Sequence, residues 1–96
     1  MHERYVVYIL ASRRNGTLYI GVTGDLPTRM AQHASRAMPG FTRRYGVVRL
    51  VYAERFADVT EAIAREKQLK GWNRAWKIRL IEAGNPDWLE LDATAV

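Results

Sequence analysis

The sequence predicts an α/β fold of the α+β kind, in which a β-hairpin gains a third strand and helices follow the second and third strands. Two observations carry this. The apolar, β-prone runs Tyr5 to Leu10 and Thr17 to Val22 flank the turn signal Asn15-Gly16, and the β pattern resumes from Val47 to Phe56. Between and beyond these runs stand three helix-start signals, Asp25, Asp58 and Asn73.

Taken in order, the first two runs form the hairpin, and Val47 to Phe56 adds to it, so the sheet is antiparallel at least in part. Asp25 caps a helix carrying Arg29, Met30 and His33, with Pro27 tolerated in its first turn and an end near Ala34 or Arg36. Residues 35 to 45 contain Pro39-Gly40 and no clean period, which reads as a long basic loop. Asp58-Val59-Thr60-Glu61 fits a capping box opening a helix to Lys70, stopped by Gly71. A last helix runs from Asn73 to near Gly84, after which Trp88 and Leu89 pack back on the body and the final residues fray.

Ninety-six residues with 48% hydrophobic content make one compact core, so residues 1–96 read as a single domain. Zero cysteines exclude disulfide staples, and no apolar run approaches membrane-spanning length, so the expectation is a cytoplasmic protein with no membrane partner. A net charge of +5 favours polyanionic partners. Between Arg13 and Arg49 stand seven arginines and one acid, Asp25, whereas every charged residue beyond Leu80 is acidic. Basic surface can equally serve solubility, so charge alone does not decide.

Hairpin parity decides which side chains meet. With an even loop, and in particular the four residues Arg13 to Gly16, Tyr19 lies opposite Leu10 and diagonal to Tyr8, so both rings line one face. Arg29 and His33 are four residues apart and project from one helix face towards a common anion. Glu66 interrupts the stripe Val59, Ala62, Ile63, Leu69, Lys70 and so faces inward, where a carboxylate needs an arginine such as Arg29 or Arg65, a metal ion or an edge open to solvent. Each also has a plain structural reading, as core packing, surface charge or salt bridge. Trp72 and Trp76, with Ala75, Leu80 and Ala83, read as a core stripe rather than a base-stacking surface.

These residues stand in the order of a known family. Val6-Val7-Tyr8 is similar to the GIY element, Tyr19-Ile20-Gly21 is YIG itself, and Arg29, His33 and Glu66 follow in turn. The chain resembles the GIY-YIG nuclease superfamily over roughly residues 4 to 90, and within it the small stand-alone bacterial members of URI-domain or YhbQ-like type. Asn15 to Thr23, Leu50-Val51-Tyr52 and Arg65 to Trp72 carry that narrower likeness. The resemblance implies a small, largely antiparallel three-stranded sheet flanked by helices, with the site on the sheet face.

It also implies a metal-dependent endonuclease acting on DNA, single-stranded or branched before long duplex, with low sequence specificity and a role in repair or processing. In that reading Glu66 holds one Mg²⁺ or Mn²⁺, Tyr8 activates the water once nearby cations such as Arg29 lower its pKa, and Arg29 binds a phosphate oxygen. His33 assists proton transfer or holds the phenolate, and Tyr19 orients phosphate or water. Asn85, before Pro86, is the candidate for the family's last polar residue, with Asn73 second. Arg36, Thr42, Arg43, Arg44 and Tyr45 in the loop are candidate nucleic-acid contacts, as are Lys67 and Lys70, with Arg74 and Lys77 beside them. The alternative is a nucleic-acid-binding module on the same scaffold without useful catalysis.

Overall fold

A computed structural model of the chain describes residues 3–35 and 46–96. Three strands, β1 (Tyr5–Ala11), β2 (Leu18–Thr23) and β3 (Arg49–Phe56), form an antiparallel sheet in the order β2-β1-β3. Helix α1 (Leu26–Ala34) follows β2, and α2 (Val59–Gly71) and α3 (Arg74–Gly84) follow β3. The predicted architecture is thus found. The loop read at residues 35 to 45, with Arg36, Thr42, Arg43, Arg44 and Tyr45, lies outside the described residues apart from Ser35, which caps α1.

The hairpin turns through Arg13 to Gly16. Ser12 and Thr17 close it, the Ser12 N–H donating to the Thr17 carbonyl at 3.0 Å and the Ser12 hydroxyl accepting from the Thr17 N–H at 3.0 Å. Asn15 takes the left-handed conformation that asparagine tolerates, with φ 57°. Arg74 of α3 clamps the turn by donating to the carbonyls of Asn15 at 2.6 Å and Gly16 at 2.7 Å. An even loop then sets Leu10 opposite Tyr19 and Tyr8 opposite Gly21.

Because strand side chains alternate, β1 serves two cores. Val7, Ile9 and Ala11 join Ile20, Val51, Ala62, Leu69, Ile81 and Trp88 on the side of α2 and α3. Val6, Tyr8 and Leu10 join Leu26, Val47 and Leu50 on the side of α1. A register shift between Ile9 and Leu10 pairs them with Tyr52 and Leu50, leaving Val51 as the extra residue of a bulge.

Asp58 caps α2 by accepting from the Thr60 N–H at 2.7 Å, and Asn73 caps α3 by accepting from the Trp76 N–H at 2.9 Å. Gly71 ends α2 from inside it, with Trp72 as the C-cap. The tail departs from expectation at Leu89, which is 64% exposed rather than packed. Trp88 does pack, wholly buried, its indole N–H donating to Glu82 at 2.7 Å. Its left-handed backbone, φ 55°, turns the next residue outward. Nor do the last residues fray: the Leu91 N–H donates to the Leu50 carbonyl at 2.8 Å, and Leu91, Ala93 and Val96 pack on the Tyr8 side. Among the described residues, no helix is long and apolar enough to cross a membrane.

Candidate active site

Tyr8 is 1% exposed, and its ring lies 6.4 Å from that of Tyr19, as the parity of the hairpin predicts. What the parity does not reveal is why a glycine stands opposite Tyr8. A Cβ at Gly21 would meet both Cζ and the hydroxyl oxygen of Tyr8 at 2.5 Å. The space a side chain would take is the space the phenol ring occupies, so the glycine of the second motif is fixed by contact with the tyrosine of the first.

Helix α1 delivers the next groups. The Asp25 carboxylate accepts from the Thr28 N–H at 3.2 Å and from the Thr28 hydroxyl at 2.8 Å, while the Asp25 N–H donates to the Thr23 hydroxyl at 3.0 Å. The cap ties the start of α1 to the end of β2. One turn separates Arg29 from His33, and His33 is buried with its Nε2 3.2 Å from the Tyr8 hydroxyl and its ring 5.5 Å from that of Tyr19.

Electrostatics here overturn one expectation. Burial pushes the Tyr8 hydroxyl above its ordinary 10.0, and Tyr19 and Glu66 push the same way; Arg29 pulls it down and is outweighed. Nearby cations therefore do not produce a resting phenolate. His33 moves the other way: burial first, then the charge of Arg29, lowers it below its ordinary 6.5, so the imidazole is neutral at neutral pH. A neutral ring with its proton on Nδ1 offers the Nε2 lone pair to the Tyr8 O–H.

Glu66 does face the sheet, on one stripe with the buried Ala62 and Leu69, and its side chain is 16% exposed. Val59 and Ile63, expected on that stripe, are 41% and 38% exposed, because α2 meets the sheet along a narrower line. The partner of Glu66 is Lys70 at 3.2 Å, one turn on. Arg65 pairs instead with Glu54 of β3 at 2.9 Å, and Glu54 also accepts a hydrogen bond from the Tyr52 hydroxyl. No sequence signal marks that pairing, because it depends on which β3 residue lies beneath α2. Lys67 is exposed on α2, and Lys70 and Lys77 line a groove of about 260 Å³ with Leu18, Tyr19 and Ile20.

Among the described residues, no three His, Cys, Asp or Glu side chains gather as a ligand cage. A lone carboxylate within electrostatic reach of Tyr8 suits a hard ion that keeps most of its water and takes the rest of its oxygens from a phosphate. It does not suit zinc, which asks for three or four protein ligands.

Two other sequence readings end elsewhere. The Asn85 amide donates to the carbonyls of Val51 at 3.1 Å and Leu89 at 2.9 Å and accepts from the Leu89 N–H at 3.0 Å, which holds the tail on β3. Trp76, read as core, is 50% exposed and packs edge to face against Trp72 with ring centroids 5.8 Å apart. The two helices meet the sheet through Leu69 and Ile81, which turns Trp76 to the outside.

Comparison with known proteins agrees with this geometry. The family model of the GIY-YIG catalytic domain matches residues 4–79. A UPF0213 protein of Natronomonas pharaonis is 38% identical over 81 residues, spanning 84% of this chain and 94% of the relative. One from Staphylococcus saprophyticus is 32% identical over 82 residues, spanning 85% and 99%. The solution NMR structure of a UPF0213 protein from Bacillus halodurans superposes with a TM-score of 0.56 at 31% identity, covering 95% of this chain and 93% of that one.

Proposed function

The chain belongs to the GIY-YIG family of nuclease domains, and from that premise we propose that it is a metal-dependent endonuclease hydrolysing phosphodiester bonds in DNA. The observation that carries the reading is the buried contact between the Tyr8 hydroxyl and His33, with Arg29 and Glu66 in electrostatic range of the same oxygen.

Hydrolysis needs a deprotonated water, charge stabilisation at phosphorus and help for the leaving oxygen. A hydroxyl with a raised pKa is a poor acid in isolation, yet it serves as a relay when a neutral base stands behind it. Tyr8 takes a proton from the attacking water as it passes its own to Nε2 of His33; the water oxygen bonds to phosphorus and the bond to the leaving oxygen breaks. Substrate binding favours this transfer, because a phosphate on Arg29 offsets the charge that disfavours protonated His33. The guanidinium fork matches two phosphate oxygens, and Tyr19 beside it orients the group.

Mg²⁺ or Mn²⁺ bound at Glu66 supplies Lewis acidity to the phosphate and its leaving group. Lys70, 3.2 Å away, is the counter-charge of Glu66 within the chain. The charged groups so far assigned read no bases, so low sequence specificity follows, and single-stranded or branched DNA is the substrate we assign, as repair or processing would present.

Cleavage of labelled single-stranded, duplex and branched DNA and of RNA, with Mg²⁺, with Mn²⁺ and with EDTA, tests this in wild type and Glu66→Ala. Metal-dependent cutting that disappears in Glu66→Ala while binding persists is expected. Binding with no cutting by wild type under either metal would leave a binding module on a nuclease scaffold.

A further inference from the structure

The half-exposed Trp76 asks for a partner. With Trp72, Arg79, Leu80 and Ala83 it lines an apolar groove of about 360 Å³ on the outer side of α3. A half-exposed indole leaves apolar surface that a flat ligand can cover. Arg79 lines the groove, in a segment rich in cations. Residues 65 to 79 hold six cations, Arg65, Lys67, Lys70, Arg74, Lys77 and Arg79, against one acid, Glu66. The Arg65 guanidinium also lies over the Trp72 ring, 5.2 Å from its centroid.

Aromatic rings beside Arg79 and under Arg65 suit a partner that is both anionic and flat. An apolar protein helix would leave those charges unmatched, and a duplex would present phosphates without exposed base faces. A single strand offers both, its phosphates to the cations and its unpaired bases to the rings. A second, separate groove lies on the side of the candidate site. Lys77, next to Trp76 on α3, shares with Lys70 the smaller groove walled by Tyr19.

We infer that the junction of α2 and α3 is a single-strand subsite, with a backbone phosphate between Lys70 and Lys77 beside Tyr19 and an unpaired base stacked on Trp76. The proposal rests on the nuclease reading for the source of the strand, and it deepens that reading by giving the protein a reason to prefer unpaired substrate.

The test is equilibrium binding in EDTA, where no cutting occurs, read by intrinsic fluorescence. Trp88 is wholly buried, so changes on binding report Trp72 and Trp76. Oligothymidylate is compared with an abasic deoxyribose-phosphate chain of equal length. Expected are quenching by oligothymidylate alone and roughly ten-fold tighter binding of the base-bearing strand. Trp76→Ala should erase that difference with abasic binding unchanged, Trp76→Phe should keep most of it, and Lys77→Ala should weaken both ligands. Circular dichroism and thermal melting verify that each variant is folded.

Equal wild-type affinity for the two chains would overturn the subsite, as would a folded Trp76→Ala that keeps the preference. So would self-association of the free protein abolished by Trp76→Ala, which would assign the groove to a second copy. Base-dependent quenching without metal-dependent cutting would sink the nuclease reading alone. Cutting without base preference would sink the subsite alone.

Discussion

Replacing Gly21 with alanine adds one methyl group at the point where β2 passes beneath Tyr8. The added carbon meets the phenol Cζ and oxygen at 2.5 Å, whereas ordinary contact begins at 3.4 Å, so the ring must retreat by roughly 1 Å. It has little room, being 1% exposed and packed against Tyr19 and His33. Gly21 is not among the residues with positive φ, so the backbone accepts alanine and the methyl group itself gains a few tenths of a kcal/mol or more in chain entropy. Overpacking outweighs this at about 1–3 kcal/mol, for a net loss of about 1–2 kcal/mol and a Tm lowered by roughly 5–10 °C. Cleavage suffers more, because a 1 Å displacement of the relaying hydroxyl from its 3.2 Å contact with His33 is worth about 100-fold in rate. Single-turnover cleavage and thermal melting measure the two effects. Gly24→Ala is the control, since a methyl group there has nothing nearer than 3.6 Å. A Gly21→Ala variant with wild-type rate and Tm would refute the contact argument.

Two more outcomes follow from the site and its surroundings. His33 must be neutral to receive the Tyr8 proton, so kcat/KM should fall as pH drops through its folded-state pKa, which lies below 6.5. Stability changes in the same direction: the unfolded chain takes up that proton first, so the contribution of His33 is complete above 6.5 and is lost as pH falls through the lower folded value. An acid limb of cleavage lying above 6.5, or one unchanged in His33→Gln, would contradict this. Asn85→Ala removes three hydrogen bonds and leaves the Val51 carbonyl without that donor, at a cost of about 2–3 kcal/mol read by denaturant melting, with cleavage by the folded variant retained. Loss of cleavage at unchanged stability would instead assign Asn85 to the chemistry.

The parts of the site that follow from period and parity are legible in the amino-acid sequence. The even loop brings Tyr8 and Tyr19 to one face, the four-residue spacing sets Arg29 above His33, and the interrupted stripe turns Glu66 inward. What is illegible there depends on volume and dielectric. Counting cations near Tyr8 suggests a lowered pKa, but burial decides the sign. The glycine at position 21 is explained only by the ring lying on it. Trp76 fits a helical stripe as well as any core residue, and only the contact line of α3 with the sheet shows that it faces outward. The tail misleads for a similar reason, because a left-handed turn at Trp88 exchanges Leu89 for Leu91 as the packed leucine.

Tyr8→Phe bears most directly on the central claim, since it removes one oxygen and leaves the packing of the ring intact. Metal-dependent single-turnover cleavage and equilibrium binding of the same labelled strand should be measured side by side with wild type. A relay through that hydroxyl predicts a rate lower by about 100-fold or more with affinity close to wild type, and a Tm lowered only by the loss of one buried hydrogen bond, worth about 1–3 kcal/mol. Cleavage at the wild-type rate, with the oxygen gone, would contradict it.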